Sequence, residues 1–226
     1  MGLLTLPTVA VKDAFRLWRF APWVPLIALI PEFAQHIVEI KLGMFVSLEA
    51  FKALQNDSLR WSWGYGKLAG LAIAIMCGLF ALATLEKRAI LWPRVGLALV
   101  FNVAVTAPVP LIDRLPTESA KLVANIALSV LTLPILVYTV GAVLGEDRMT
   151  FFEAIRTGWW AEIRMLFLIV PGFGLLQLVH MLDHFMVMGA APWLVWTGML
   201  WDSLVVGMLA TWMAVGLYRG YLGAGK

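Results

Sequence analysis

Six predominantly apolar stretches of this chain, each 20 to 26 residues long, leave little choice of fold. They cover residues 22–43, 66–85, 90–112, 119–144, 163–186 and 192–217. At 1.5 Å of rise per residue, about twenty residues of helix cross the roughly 30 Å hydrocarbon core of a bilayer. Inside that core a helix is one of the few structures that satisfies its own backbone. Only 14% of the 226 residues are charged, 62% are hydrophobic, and the mean hydropathy is +0.87. Soluble domains carry about 25% charged residues. The expected fold class is an all-α integral membrane protein, a single transmembrane helical domain over residues 1–226 with six transmembrane helices. A net charge of +3 suits the basic loops of such a protein and does not point to nucleic acid. Cys77, the single cysteine, has no disulfide partner in the chain and reads as a small packing residue.

Two further segments read as amphipathic helices lying on the membrane surface. In residues 8–20, Val11, Phe15 and Trp18 recur at helical spacing, and Lys12, Arg16 and Arg19 recur one position later. The same charges interrupt the apolar core that a cleavable signal peptide needs. In residues 150–161, Thr150 and Glu153 have the spacing of a capping box, and Phe152, Ile155 and Trp159 follow as an apolar face. Between the first two spans lie a short amphipathic piece (Leu48, Phe51, Leu54), a turn at Asn56-Asp57-Ser58, and an aromatic belt of Trp61, Trp63 and Tyr65. Pro25 and Pro31 kink the first span, Pro134 interrupts the fourth, and Pro108 with Pro110 closes the third.

Lysine and arginine set the expected orientation. With the N-terminus inside, eleven basic residues are cytoplasmic, from Lys12 to Lys226. Six are outside: Lys41, Lys52, Arg60, Lys67, Arg114 and Lys121. Both termini are then cytoplasmic. A shift of 140 residues aligns Asp13-Ala14-Phe15-Arg16 with Glu153-Ala154-Ile155-Arg156, and Pro31 with Pro171. Each copy is a charged amphipathic helix entering a proline-containing span, which suggests a parallel internal repeat.

The segment from Val137 to Val170, with Leu144-Gly145-Glu146 followed by Thr150-Phe151-Phe152-Glu153-Ala154-Ile155-Arg156, resembles the six-span bacterial inner-membrane family typified by the YciC proteins. It is also similar to the membrane domains fused to glycerophosphodiester phosphodiesterases. The opening Val11-Lys12-Asp13-Ala14-Phe15-Arg16, with Trp18, looks like the start of the same family. The resemblance implies a multi-pass protein of the bacterial cytoplasmic (inner) membrane with an envelope or lipid-related role. It supplies no catalytic residues.

Two polar faces break the apolar pattern. On the first span Glu32, Gln35, His36 and Glu39 share a helix face; on the fifth, Gln177, His180 and His184 do so with Asp183 beside them. Asp202 lies within the sixth. Ionisable groups at such depth cost about 2.5–3.5 kcal/mol each when they face lipid, so they are expected to point inward. The reading that follows is an outward-facing polar cavity in a non-enzymatic protein, holding a lipid head group or a small polar ligand. A second reading is an accessory or assembly subunit that docks another membrane protein through the amphipathic helices. A third gives His36, His180 and His184 to a metal such as zinc, since imidazoles four residues apart on a helix converge. Haem held axially between His36 and His180 is a remote variant. The plain structural alternative is that these residues satisfy one another near the interface. No serine elbow, phosphate loop or metalloprotease helix motif is present in the sequence, and no cofactor is required by any of the motifs.

Overall fold

A computed structural model of the protein describes residues 3–112 and 114–223. Lys226, counted above among the cytoplasmic charges, and the side chain of Pro110 lie outside the described residues. The described residues form α1 (Leu6–Phe20), α2 (Trp23–Lys41), α3 (Leu48–Leu54), α4 (Ser58–Leu85), α5 (Trp92–Thr106), α6 (Val109–Ile112), α7 (Glu118–Val143), α8 (Phe151–Thr157), α9 (Trp159–Met186) and α10 (Pro192–Leu222). No strand occurs among them. Five of these helices, α2, α4, α7, α9 and α10, are long and apolar enough to cross a membrane. The chain is a helical membrane protein.

The helix starts follow from short polar side chains that satisfy the first free N–H groups. Ser47 accepts from Ala50 N at 3.2 Å, Thr117 from Ala120 N at 3.2 Å, and Thr150 from Glu153 N at 3.2 Å. Asp57 accepts from both Leu59 N and Arg60 N, at 2.9 and 3.1 Å. That last cap changes the reading of the second span. Asn56-Asp57-Ser58 is less a loop than a helix start, so α4 begins at Ser58, eight residues before the expected 66, and puts Arg60 on the same helix as Lys67.

Other expectations also shift. The third stretch is not one continuous helix: α5 has 15 residues, about 22 Å, and stops before Pro108, which has no N–H to continue the hydrogen-bond ladder. α6 adds one turn after it. The expected surface helix 150–161 divides at Gly158, where α8 stops after seven residues and α9 begins. Added there, a Cβ would stand 2.3 Å from the Ala154 carbonyl oxygen and 3.1 Å from Val137. α1 has a third face beyond the two expected. Leu6, Ala10, Asp13 and Leu17 are the buried residues, while Val11 and Phe15 stay exposed, at 43% and 75%. The two amphipathic helices aligned by the 140-residue shift therefore differ: Asp13 is buried against Arg219, whereas Glu153 pairs at the surface with Arg156.

The bundle is organised around α10, the most buried of the long helices, with α9, α2, α4 and α1 packed on it. Small residues let the backbones approach; at Gly220 a Cβ would lie 2.5 Å from the Cα of Met165. α5 pairs with α7 at the side, and only the second half of α7, from Ile135 on, is buried. α9 turns Val170, Phe173, Leu178 and Phe185 outward, as a lipid-facing helix does.

Candidate functional site

The fold brings the two expected polar faces together and adds α10 between them. α2 contributes Glu32, Gln35, His36 and Glu39, all at 3% exposure or less; α10 contributes Asp202 at 0%; α9 contributes His184 at 8% and His180, whose side chain is 13% exposed. These residues press against one another instead of lining an open chamber.

Asp202 is the hub. Its Oδ2 lies 2.8 Å from His36 Nε2, and its Oδ1 lies 2.7 Å from His180 Nδ1. His184 Nδ1 is 3.9 Å from Oδ2. With one carboxylate bridging His36 and His180, no slot for a porphyrin separates these two rings, and the haem reading falls on geometry. His36 Nδ1 is held by Glu39 Oε2 at 2.8 Å. Glu39 is held in turn through Oε1 by Arg60 Nε at 2.8 Å and Gln35 Nε2 at 3.0 Å. His184 Nδ1 donates to the His180 carbonyl at 2.8 Å; a carbonyl only accepts, so the proton sits on Nδ1 and Nε2 carries the lone pair.

Arg60 and Lys67 are the members missed by the sequence reading, which assigned both to an outer segment. Glu32 and Glu39 are seven residues apart on α2, and Arg60 and Lys67 are seven apart on α4. The antiparallel pairing matches them as Glu39 with Arg60 and Glu32 with Lys67, each at 2.8 Å. Two turns of helix, about 10.5 Å, separate the pairs on both sides. The signal was the cap at Asp57: once the helix starts there, the heptad of cations facing the heptad of carboxylates is visible.

Not every expected residue takes part. Among the described residues Gln177 makes no hydrogen bond, and it is half-buried. Asp183 is half-buried and its Oδ2 has no hydrogen-bond partner. On α9 His180 and His184, four residues apart, face Asp202, and Asp183 stands beside them. Three sets of ligand atoms lie within 4.8 Å of one another: His36, Glu39 and His184; His180, His184 and Asp202; Glu32, His36 and Asp202. Glu32 Oε2, fully buried, has no hydrogen-bond partner, and neither has Gln35 Oε1. An unpaired carboxylate oxygen in such a place costs free energy unless something binds it.

Comparison with protein-family models, curated proteins and solved structures finds no match for this chain.

Proposed function

We propose that this protein is a multi-pass metal-binding protein of a bacterial cytoplasmic membrane, with a divalent transition metal held by His36, His180, His184 and Asp202. The observation that carries the reading is how two of the imidazoles are pinned. Metal-bound histidines nearly always donate the second ring N–H to a carboxylate or a carbonyl, which fixes tautomer and aim. His36 is held in this way by Glu39 and His184 by the carbonyl of His180, so that in both rings Nε2 is the ligand atom. Three nitrogens and one carboxylate oxygen are a donor set suited to zinc and its neighbours. In the metal-free protein a proton on His36 Nε2 bridges to Asp202 and stands where the ion would.

Ligand atoms around a tetrahedral zinc are roughly 3.4 Å apart; His180, His184 and Asp202 lie within 4.8 Å of one another, and so do Glu32, His36 and Asp202, so the two groups meet at Asp202. Glu32 lies 3.3 Å from His36 Nε2, and its unpartnered oxygen is available to a fifth position. Lys67 and Arg60 balance the carboxylates, and His180, the most exposed of the four ligands, marks the entry side. For the surrounding architecture, α5 with α6 completes a sixth crossing, and eleven basic residues against six place both termini in the cytoplasm. The resemblance to inner-membrane envelope proteins supports the same location.

The test is metal analysis of the full-length protein purified in mild detergent. The expected result is about one equivalent of zinc, iron or manganese. His184→Ala should abolish it, and Glu39→Gln should lower affinity about 10–100-fold by releasing His36, with the elution profile unchanged. Substoichiometric metal in the wild type after loading with each of these ions, or full retention in His184→Ala, would sink the reading.

A further inference from the structure

A second site, independent of the metal reading, lies where α1 crosses α9 and α10. A cavity of about 390 Å³ opens there, lined by Val11, Ala14, Phe15 and Trp18 of α1, Leu176 of α9, and Met208, Thr211 and Trp212 of α10. Its volume is within the range of small-molecule sites. The polar atoms of its wall are already engaged. Trp18 Nε1 donates to Thr211 Oγ1 at 3.0 Å, Thr211 donates to the Gly207 carbonyl at 2.9 Å, and Trp212 Nε1 donates to the Leu168 carbonyl at 2.9 Å. What remains for an occupant is hydrocarbon surface.

The sequence of α1 sets charge beside that surface. Val11, Phe15 and Trp18 line the groove, and each is followed at once by a cation: Lys12, Arg16, Arg19. One residue on a helix is about 100° of rotation, so a basic ridge runs along the groove's edge. All three cations are exposed, and among the described residues none has a hydrogen bond or ion pair. Asp13, the one acid of this helix, is taken by Arg219 and cannot neutralise them.

We propose that this groove is a binding site for one anionic phospholipid, with an acyl chain along the wall of α9 and α10 and the phosphate on Lys12, Arg16 and Arg19. The occupant follows from complementarity: an apolar slot with no free polar atom, edged by three unpaired cations, fits a molecule that is hydrocarbon at one end and anionic at the other. A zwitterionic lipid has the chain without the net charge, and a soluble phosphate has the charge without the chain.

The experiment is native mass spectrometry of the full chain exchanged into mild detergent containing equal amounts of phosphatidylglycerol and phosphatidylcholine. The wild type is expected to retain one phosphatidylglycerol in preference. A basic side chain near an anionic lipid is worth about fivefold in affinity, so Lys12→Gln, Arg16→Gln and Arg19→Gln combined should cost roughly a hundredfold. Met208→Trp, which fills the groove and leaves the charges, should also lose the lipid. Thermal midpoints and elution profiles of the variants verify that the bundle is intact; if Met208→Trp does not fold, Met208→Phe takes its place. Equal retention of the two lipids, or a triple variant that binds like wild type, overturns the proposal. So does a groove-filled variant with undiminished preference, which would reduce the effect to adsorption on a basic surface, and so does a bound protein in place of lipid.

Discussion

Asp202 and Arg219 are both buried on α10, about 25 Å apart along its axis, and each receives partners from helices remote in sequence. At Arg219 the partners include two carboxylates and a ring: Asp13 of α1 bonds its Nε, Glu86, after the end of α4, lies 3.6 Å from its Nη2, and the guanidinium stands 5.2 Å from the centre of the Tyr218 ring. Glu86 in turn binds Arg88 at 3.2 Å. At Asp202 the partners are imidazoles, of which His36 and His184 are also pinned by Glu39 and by the His180 carbonyl, and the shell around them keeps unpartnered oxygens on Glu32 and Gln35. The difference separates two uses of buried charge in one helix. A guanidinium has no lone pair to offer, and both carboxylates here are turned to it, so the Arg219 cluster ties α1, the end of α4 and α10 together. The Asp202 cluster has ligand capacity left over after its own contacts are made.

The sharpest way to break this contrast is to remove Asp202. Asp202→Ala leaves His36 and His180 without their shared acceptor inside the bundle. Breaking a buried charged pair costs about 3–5 kcal/mol, so this variant should show the largest loss in a denaturation series, together with loss of metal. Asp202→Asn keeps the shape and one acceptor oxygen; it should regain most of the stability and none of the metal. Metal retained in Asp202→Asn would place the ion elsewhere in the cluster. Arg219 should behave in the opposite way. Arg219→Met alone strands Asp13 and should cost about 3 kcal/mol, whereas Arg219→Met with Asp13→Leu replaces the pair by apolar contact and should recover most of it. A double variant as unstable as the single one would show that Arg219 does more than fasten helices.

What the sequence made legible follows the same division. A face built within one helix, such as Glu32, His36 and Glu39 on α2 or His180 and His184 on α9, is visible from spacing alone, and apolar length gives away the long helices. Contacts between distant helices are not. Asp13 and Arg219 are 206 positions apart, and nothing in the amphipathic pattern of α1 reserves Asp13 for the interior; its charge reads as part of the surface. Arg60, and with it the seven-residue spacing to Lys67, was hidden for a local reason, since Asn56-Asp57-Ser58 has the composition of a turn and of a helix cap alike. Pro108 marked the end of α5 correctly in kind, but a count of apolar residues alone runs on through it to 112.

The smallest expected effect probes the fastener through Glu86, which stands outside the long helices. Burial disfavours its charge, but the neighbouring Tyr218 hydroxyl and Arg88, with the positive charges of Arg219 and Arg88, outweigh burial and hold its carboxyl below the ordinary glutamate value. A carboxyl whose folded value is lowered adds stability above its unfolded value, about 4.3, and loses that contribution as pH falls through the folded value. Glu86→Gln should therefore be slightly less stable than wild type at pH 7, with the gap closing as the pH drops below about 4. The side chain is 21% exposed, so solvent screening keeps the difference modest. The measurement is the difference in thermal midpoint between wild type and Glu86→Gln from pH 7 to pH 3, in which the titration of every other carboxylate cancels to first order. A gap that does not narrow on acidification would mean that the charge of Glu86 does not help to hold Arg219, and that Asp13 is the carboxylate that fastens this end of α10.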